Sequence, residues 1–223
     1  MSTVRSSGAG RWSLAALVIV LALIVAIWPR DRDGGTVVDD GTSATTAVPV
    51  DRRPQDDAQA LAPLRETAAL RACPEPGGPP AAGPLAGMVF ECVGDGSATD
   101  LAAGLAGRPA LVNLWAWWCA PCAEELPVLE EFAARAGDTM AVVTVHTDPN
   151  EAGALEKLAA YGVHLPGVQD GSGRVRAAFE VPAVLPVTVL VRADGSVAKV
   201  LPQPFHSVDE VTDVVATHLG VDI

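Results

Sequence analysis

At 223 residues the chain holds one domain or at most two, and a net charge of -12 at pH 7 excludes a phosphate-binding surface, which depends on clustered Lys and Arg. Lysine occurs only at Lys157 and Lys199, so nucleic acid is set aside as a main partner.

Residues 12–28 read WSLAALVIVLALIVAIW, without a charge or a helix breaker, between Arg11 and Pro29-Arg30. As a helix this stretch is about 25 Å long, at the short end of what crosses a hydrocarbon core, and Trp12 and Trp28 suit the two interfaces. It is predicted to be an uncleaved membrane anchor, with residues 1–11 on the cytoplasmic side. The alternative, a cleaved signal peptide, lacks a small-residue cleavage site at Ala26-Ile27-Trp28. Residues 29–56 carry Asp, Thr, Gly and Pro with no apolar period, the composition of a tether that cannot bury enough surface to offset its ordering entropy.

Residues 57–83 read as a short helix followed by a Pro/Gly loop. Leu61, Leu64 and Ala68 give the amphipathic pattern, Pro63 is tolerable only in the first turn, and Pro74 ends the helix after Cys73. Residues 87–93 alternate as a strand that carries Cys92, and Asp95-Gly96 supplies a turn. Cys73 and Cys92 read as a structural disulfide across that loop, stabilising by about 3 kcal/mol in the chain-entropy model, with two unpaired thiols as the alternative. All four cysteines follow the anchor, an even number, which places the domain on the oxidising side.

From residue 84 onward, elements alternate. A short helix over 99–106 precedes a buried strand over 110–116, and a helix over 119–136 holds Pro127. A second buried strand over 140–147, a helix over 150–161, a short strand over 163–168, the Asp170-Gly171 turn and a short helix over 174–179 follow. Residues 187–192 and 197–201 form a hairpin across Asp194-Gly195. Ser207-Val208-Asp209-Glu210 is a capping-box sequence opening an amphipathic C-terminal helix.

Trp118-Cys119-Ala120-Pro121-Cys122 joins the first buried strand to its helix. If Cys119 opens that helix, its sulfur faces unpaired N–H groups and the positive end of the macrodipole, which favours the thiolate. Cys122 then stands within reach to resolve a mixed disulfide. A zinc reading needs a second closely spaced Cys or His pair, and none is visible, since His146, His164, His206 and His218 are scattered singly. Glu125, one turn beyond Cys122, is a candidate proton partner of the resolving thiol; its alternative is a solvated helix-face acid like Glu124, Glu130 and Glu131.

On these residues the chain from about residue 84 to the end resembles thioredoxin-fold proteins of the membrane-anchored TlpA/ResA-like (CcmG/DsbE-like) branch. Asn113 stands where cytosolic thioredoxins carry a buried Asp, and Cys122-Ala123-Glu124-Glu125-Leu126-Pro127 fits the branch pattern CxxExP. The resemblance implies a three-layer α/β fold, a central mixed sheet with helices on both faces, preceded by one transmembrane helix. It also implies that Pro186 is a cis-proline facing the dithiol, with Pro182 the fallback, that Leu185 offers backbone hydrogen bonds to a substrate, and that Trp118 shields the site.

The function so implied is a membrane-anchored, extracytoplasmic thiol-disulfide oxidoreductase of the bacterial cell membrane, without a cofactor. It would reduce disulfides of exported proteins, apocytochrome c among them, with electrons from a CcdA/DsbD-type membrane donor. Disulfide donation by the same dithiol is the alternative direction. A non-catalytic copper- or protein-binding module would carry a wider Cys spacing and a partnered His, and a peroxidase a separate peroxidatic Cys.

Overall fold

The computed structural model describes residues 56–79 and 82–223. The anchor expected at 12–28 and most of the tether lie outside the described residues, among which no helix is long and apolar enough to cross a membrane.

The elements in chain order are α1 (Ala58–Ala68), β1 (Val89–Cys92), β2 (Ala98–Asp100), α2 (Leu101–Leu105), β3 (Ala110–Trp115), α3 (Ala120–Ala136), β4 (Ala141–His146), α4 (Glu151–Tyr161), β5 (Gly167–Gln169), α5 (Arg174–Ala178), β6 (Val187–Val191), β7 (Val197–Leu201) and α6 (Val208–Leu219). The seven strands form one sheet in the order β2-β1-β5-β4-β3-β6-β7. β3, β4 and β5 run parallel, and β6 and β7 on one side and β1 and β2 on the other pair antiparallel. The parallel β3 and β4 are buried at every position, which is why both read as mostly apolar on both faces rather than alternating, with Asn113 on β3 and Thr144 and His146 on β4 as buried polar exceptions.

Each face of the sheet has its own core. Leu111 and Trp115 pack with α3, α4 and α6, while Val112 and Leu114 pack with α2 and α5 on the opposite side. Val208, Val211 and Val215 dock α6 with almost no exposure, about 2 kcal/mol of transfer free energy each. Ser207 Oγ caps this helix by accepting from Glu210 N–H at 3.3 Å, but the Glu210 carboxylate reaches back to His206 N–H at 2.8 Å, one residue short of the reciprocal capping-box bond.

The structure differs from the sequence reading at three elements. α1 stops at Ala68, with Ala69 in the left-handed region at φ 47, and Pro63 stands in its second turn instead of its first. β2 (Ala98–Asp100) takes the first two positions of the expected 99–106 helix and pairs with β1, and Asp100 then caps the shortened α2. β5 is Gly167–Gln169 instead of the expected 163–168, beginning only after Pro166, which withholds a donor from the ladder, and ending one residue later.

α1 is stitched to the domain at several points. Its Leu61 and Ala68 are fully buried with Val93 and Leu155. Arg65 donates from Nη2 to Glu91 and Glu151, each at 2.8 Å, and from Nε to Val93 O at 3.1 Å. Arg65 thus bridges α1 to both β1 and α4. Gly96 in the β1–β2 turn has φ +79 and faces the Arg65 guanidinium, where a Cβ would stand 2.5 Å from Nη1. Cys73 and Cys92 are joined by a disulfide, tying the segment after α1 to β1.

Candidate active site

β3 carries the chain to the dithiol. Beyond Trp115 the backbone turns, Cys119 N–H donating to Ala116 O at 3.0 Å, and Cys119 becomes the N-cap of the 17-residue α3. Its extended φ and ψ of -80 and 104 point Sγ back over the first turn, where it accepts from Cys122 N–H at 3.3 Å. Pro121 fits this turn because a donor there would have had no partner. Cys119 and Cys122 form a disulfide. Cys119 keeps 6% of its surface exposed and Cys122 none, so the first residue borders solvent and the second is enclosed.

The Leu185–Pro186 peptide is cis, and it is the only cis bond among the described residues, Pro182 included. Val187 pairs with Leu114, so Pro186 lies beside the Trp115 end of β3, where the chain turns toward Cys119. Leu185 packs against the cores on both faces. Trp118 is 59% exposed and Val184 47%, the two exposed large hydrophobic residues among those described.

Glu125 is fully buried one turn beyond Cys122, unlike the exposed Glu124 and Glu131. Its Oε2 accepts from Asn113 Nδ2 at 2.8 Å and its Oε1 from Phe205 N–H at 3.2 Å. Burial pushes its pKa up to about 7 against the pull of those two donors. Asn113 also donates to Thr188 Oγ1 at 3.0 Å, leaving its Oδ1 buried without a hydrogen-bond partner. Glu130 is not a solvated acid: it pairs with Arg71 at 2.7 Å and accepts from His164 N–H at 2.8 Å.

Because Asn113 contributes only donors here, its replacement has a defined sign. Asn113→Asp sets a second carboxyl about 3 Å from Glu125, and the pair then shares a proton as a catalytic dyad does. The expected result is an upper apparent pKa above that of Glu125 in the wild type, measured by carboxyl-carbon NMR of the oxidised protein; a Glu125 titration identical to wild type would count against the contact.

Three neighbours of the site were not singled out by any sequence motif. His146 ends β4 fully inside the protein, 5.0 Å from the Trp115 ring between centroids, and burial pushes its pKa down to about 4, so it is neutral at pH 7. Gln169 on β5 meets its Nδ1 at 2.9 Å. Asp148, between β4 and α4, accepts from the indoles of Trp117 and Trp118.

A family model described as Redoxin matches residues 80–216, more than half the chain. Thiol-disulfide oxidoreductase ResA of Bacillus subtilis (strain 168) is 30% identical over 98 residues, covering 44% of this chain and 54% of the relative. The chain thus spans about half the length of the curated relatives it matches. Among solved structures, MTB DsbF superposes with a TM-score of 0.53 at 28% identity, over 61% of this chain and 98% of that one. A secreted Mycobacterium tuberculosis disulfide oxidoreductase superposes with a TM-score of 0.51 at 26% identity, over 58% and 95%. The shared fold is thioredoxin-like, a mixed sheet with helices on both faces.

Proposed function

The chain belongs to the Redoxin family, and on that premise we propose that it is a thiol-disulfide oxidoreductase, anchored in the bacterial cell membrane through residues 12–28 and acting outside the cytosol. The observation that carries this reading is the asymmetry of the dithiol: a reachable Cys119 capping α3, with the enclosed Cys122 and Glu125 in line behind it.

In the reducing direction, the Cys119 thiolate attacks a client disulfide, forming a mixed disulfide and expelling one client thiolate. Glu125, ionised in part near pH 7, takes the proton of the Cys122 thiol. The Cys122 thiolate then attacks Cys119 Sγ, the second client thiolate leaves and is protonated, and two electrons have passed to the client. A dithiol of the CcdA/DsbD type, itself oxidised in exchange, restores the pair. Clients are disulfides of exported proteins, the haem-attachment cysteines of apocytochrome c included. Leu185 and Pro186 flank the client chain beside Cys119.

One observation favours the opposite direction. The N-cap bond from Cys122 N–H stabilises a Cys119 thiolate, hence the reduced enzyme, and raises its potential toward that of a disulfide donor. The reduction potential of the Cys119/Cys122 couple decides: a value near about -270 mV is expected for the reductase, whereas one near about -120 mV reverses the direction while keeping the site.

A further inference from the structure

Beside the dithiol, four residues close a ring of hydrogen bonds. Trp117 N–H donates to His146 Nε2 at 3.4 Å, and His146 Nδ1 meets Gln169 Oε1 at 2.9 Å. Gln169 Nε2 donates to Asp148 O at 2.7 Å, and the Asp148 carboxylate returns to the start by accepting from Trp117 Nε1 at 3.1 Å through Oδ1. The polarities agree around the circuit: an imidazole that accepts at Nε2 carries its proton on Nδ1, which turns the Gln169 oxygen toward it and the Gln169 amino group toward Asp148.

The second oxygen of the same carboxylate, Oδ2, accepts from Trp118 Nε1 at 2.9 Å. One side chain therefore holds both indoles that precede Cys119. α4 leaves room for this: at Gly153 a Cβ would stand 3.1 Å from Trp117 Cδ2, tighter than ordinary contact. Asn150 N–H also binds Oδ1 at 2.9 Å, fixing the carboxylate from the helix side. Partial burial opposes ionisation of Asp148, but the bonds from Asn150, Trp118 and Trp117 prevail and hold its carboxyl below the usual carboxylate range.

Trp118 is thus an exposed aromatic ring with its N–H tied down. Val184, the other exposed large hydrophobic residue, precedes Leu185 and cis-Pro186. A ring already confined to one orientation loses little rotamer entropy when a ligand covers it.

We propose that Asp148 is a positioning residue for client selection: by clamping Trp117 and Trp118 it presents the Trp118 ring as a fixed apolar platform next to Cys119, selecting clients with an aromatic or aliphatic side chain adjoining the reacting cysteine. The inference rests on the exchange activity proposed above. An exposed Trp held through its N–H recognises apolar area and adds little for a small polar disulfide.

The test compares two substrates on the full chain: bis(2-hydroxyethyl) disulfide, and a disulfide-linked peptide with Leu or Trp next to the half-cystine. In Asp148→Asn the single amide oxygen stays where Oδ1 accepted from Trp117 Nε1 and Asn150 N–H, and the amino group, itself a donor, faces Trp118 Nε1 and cuts that tie. The ratio of KM for the peptide to KM for the small disulfide is expected to rise about 5- to 10-fold, the scale of one lost apolar anchor. Trp118→Phe, which keeps the ring and loses the tie, is expected to raise the ratio similarly, and the double variant no further, because both changes cut one bond. An unchanged ratio, or additive effects, overturns the inference while the exchange reading stands. A wild-type chain that exchanges neither substrate overturns both.

Discussion

Cys119→Ala lowers thiol exchange by at least about 10³-fold, whereas Cys122→Ala leaves the client covalently joined to Cys119. The two cysteines differ in what surrounds them. Cys119 is the residue of the pair with exposed surface, and its sulfur faces the N-terminal amides of α3, so it meets the client and leaves most readily as a thiolate. Cys122 has no exposed surface; its only accessible electrophile is the Cys119 sulfur, three residues away. Without Cys122 the mixed disulfide lacks its intramolecular exit and persists until an external thiol cleaves it. Non-reducing electrophoresis and mass spectrometry of the Cys122→Ala protein mixed with a disulfide client read this directly. An adduct formed by Cys119→Ala through Cys122, or exchange retained by Cys119→Ala, would refute the assignment.

The dithiol was legible because its chemistry is local. Three residues of spacing, a buried strand before and a helical pattern after set the cap geometry without long-range help, and the structure places Cys119 at that N-cap. The sheet core was legible for a related reason: 110–116 and 140–147 are mostly apolar on both strand faces, as central parallel strands require, with Asn113, Thr144 and His146 the buried polar exceptions. Glu125 shows where such reading stops. Its position one turn past Cys122 follows from sequence, but its burial depends on Asn113, Thr188 and the Phe205 amide, the last 80 residues distant, and no local pattern encodes their meeting. The ring through His146 and Gln169 was hidden by the same distance. A lone His and a lone Gln on different strands carry no spacing signal, and only the parallel register of β4 with β5, which sets His146 opposite Gln169, brings them together. β2 was missed because three residues are too few for alternation to declare itself, and Asp100 serves both as its last residue and as the cap of α2.

Glu125→Gln tilts the pH dependence of stability by about 3 kcal/mol between pH 4.5 and 7, in a protein whose own dependence on Glu125 and His146 is nearly flat. The flatness arises from two buried groups with opposite linkage. The folded chain raises Glu125 from 4.5 to about 7, so its stabilisation is complete below 4.5 and lost as pH rises through 7. It lowers His146 from 6.5 to about 4, so that contribution is complete above 6.5 and lost as pH falls through 4. Each displacement corresponds to about 3 kcal/mol, and between 4.5 and 6.5 the two slopes cancel. Gln removes the first slope and leaves the second. Because its amide can accept only one of the two donors from Asn113 and Phe205, the variant also carries a constant penalty of about 1 kcal/mol, which shifts its curve without changing the slope. Urea unfolding of the oxidised form at half-unit steps from pH 4.5 to 7.5 yields the difference between variant and wild type. That difference is expected to move in the variant's favour by about 3 kcal/mol across the window. His146→Gln is expected to expose the mirror image, with stability falling as pH rises. Parallel curves for Glu125→Gln and wild type would mean that the carboxyl does not titrate near neutrality and cannot take the Cys122 proton.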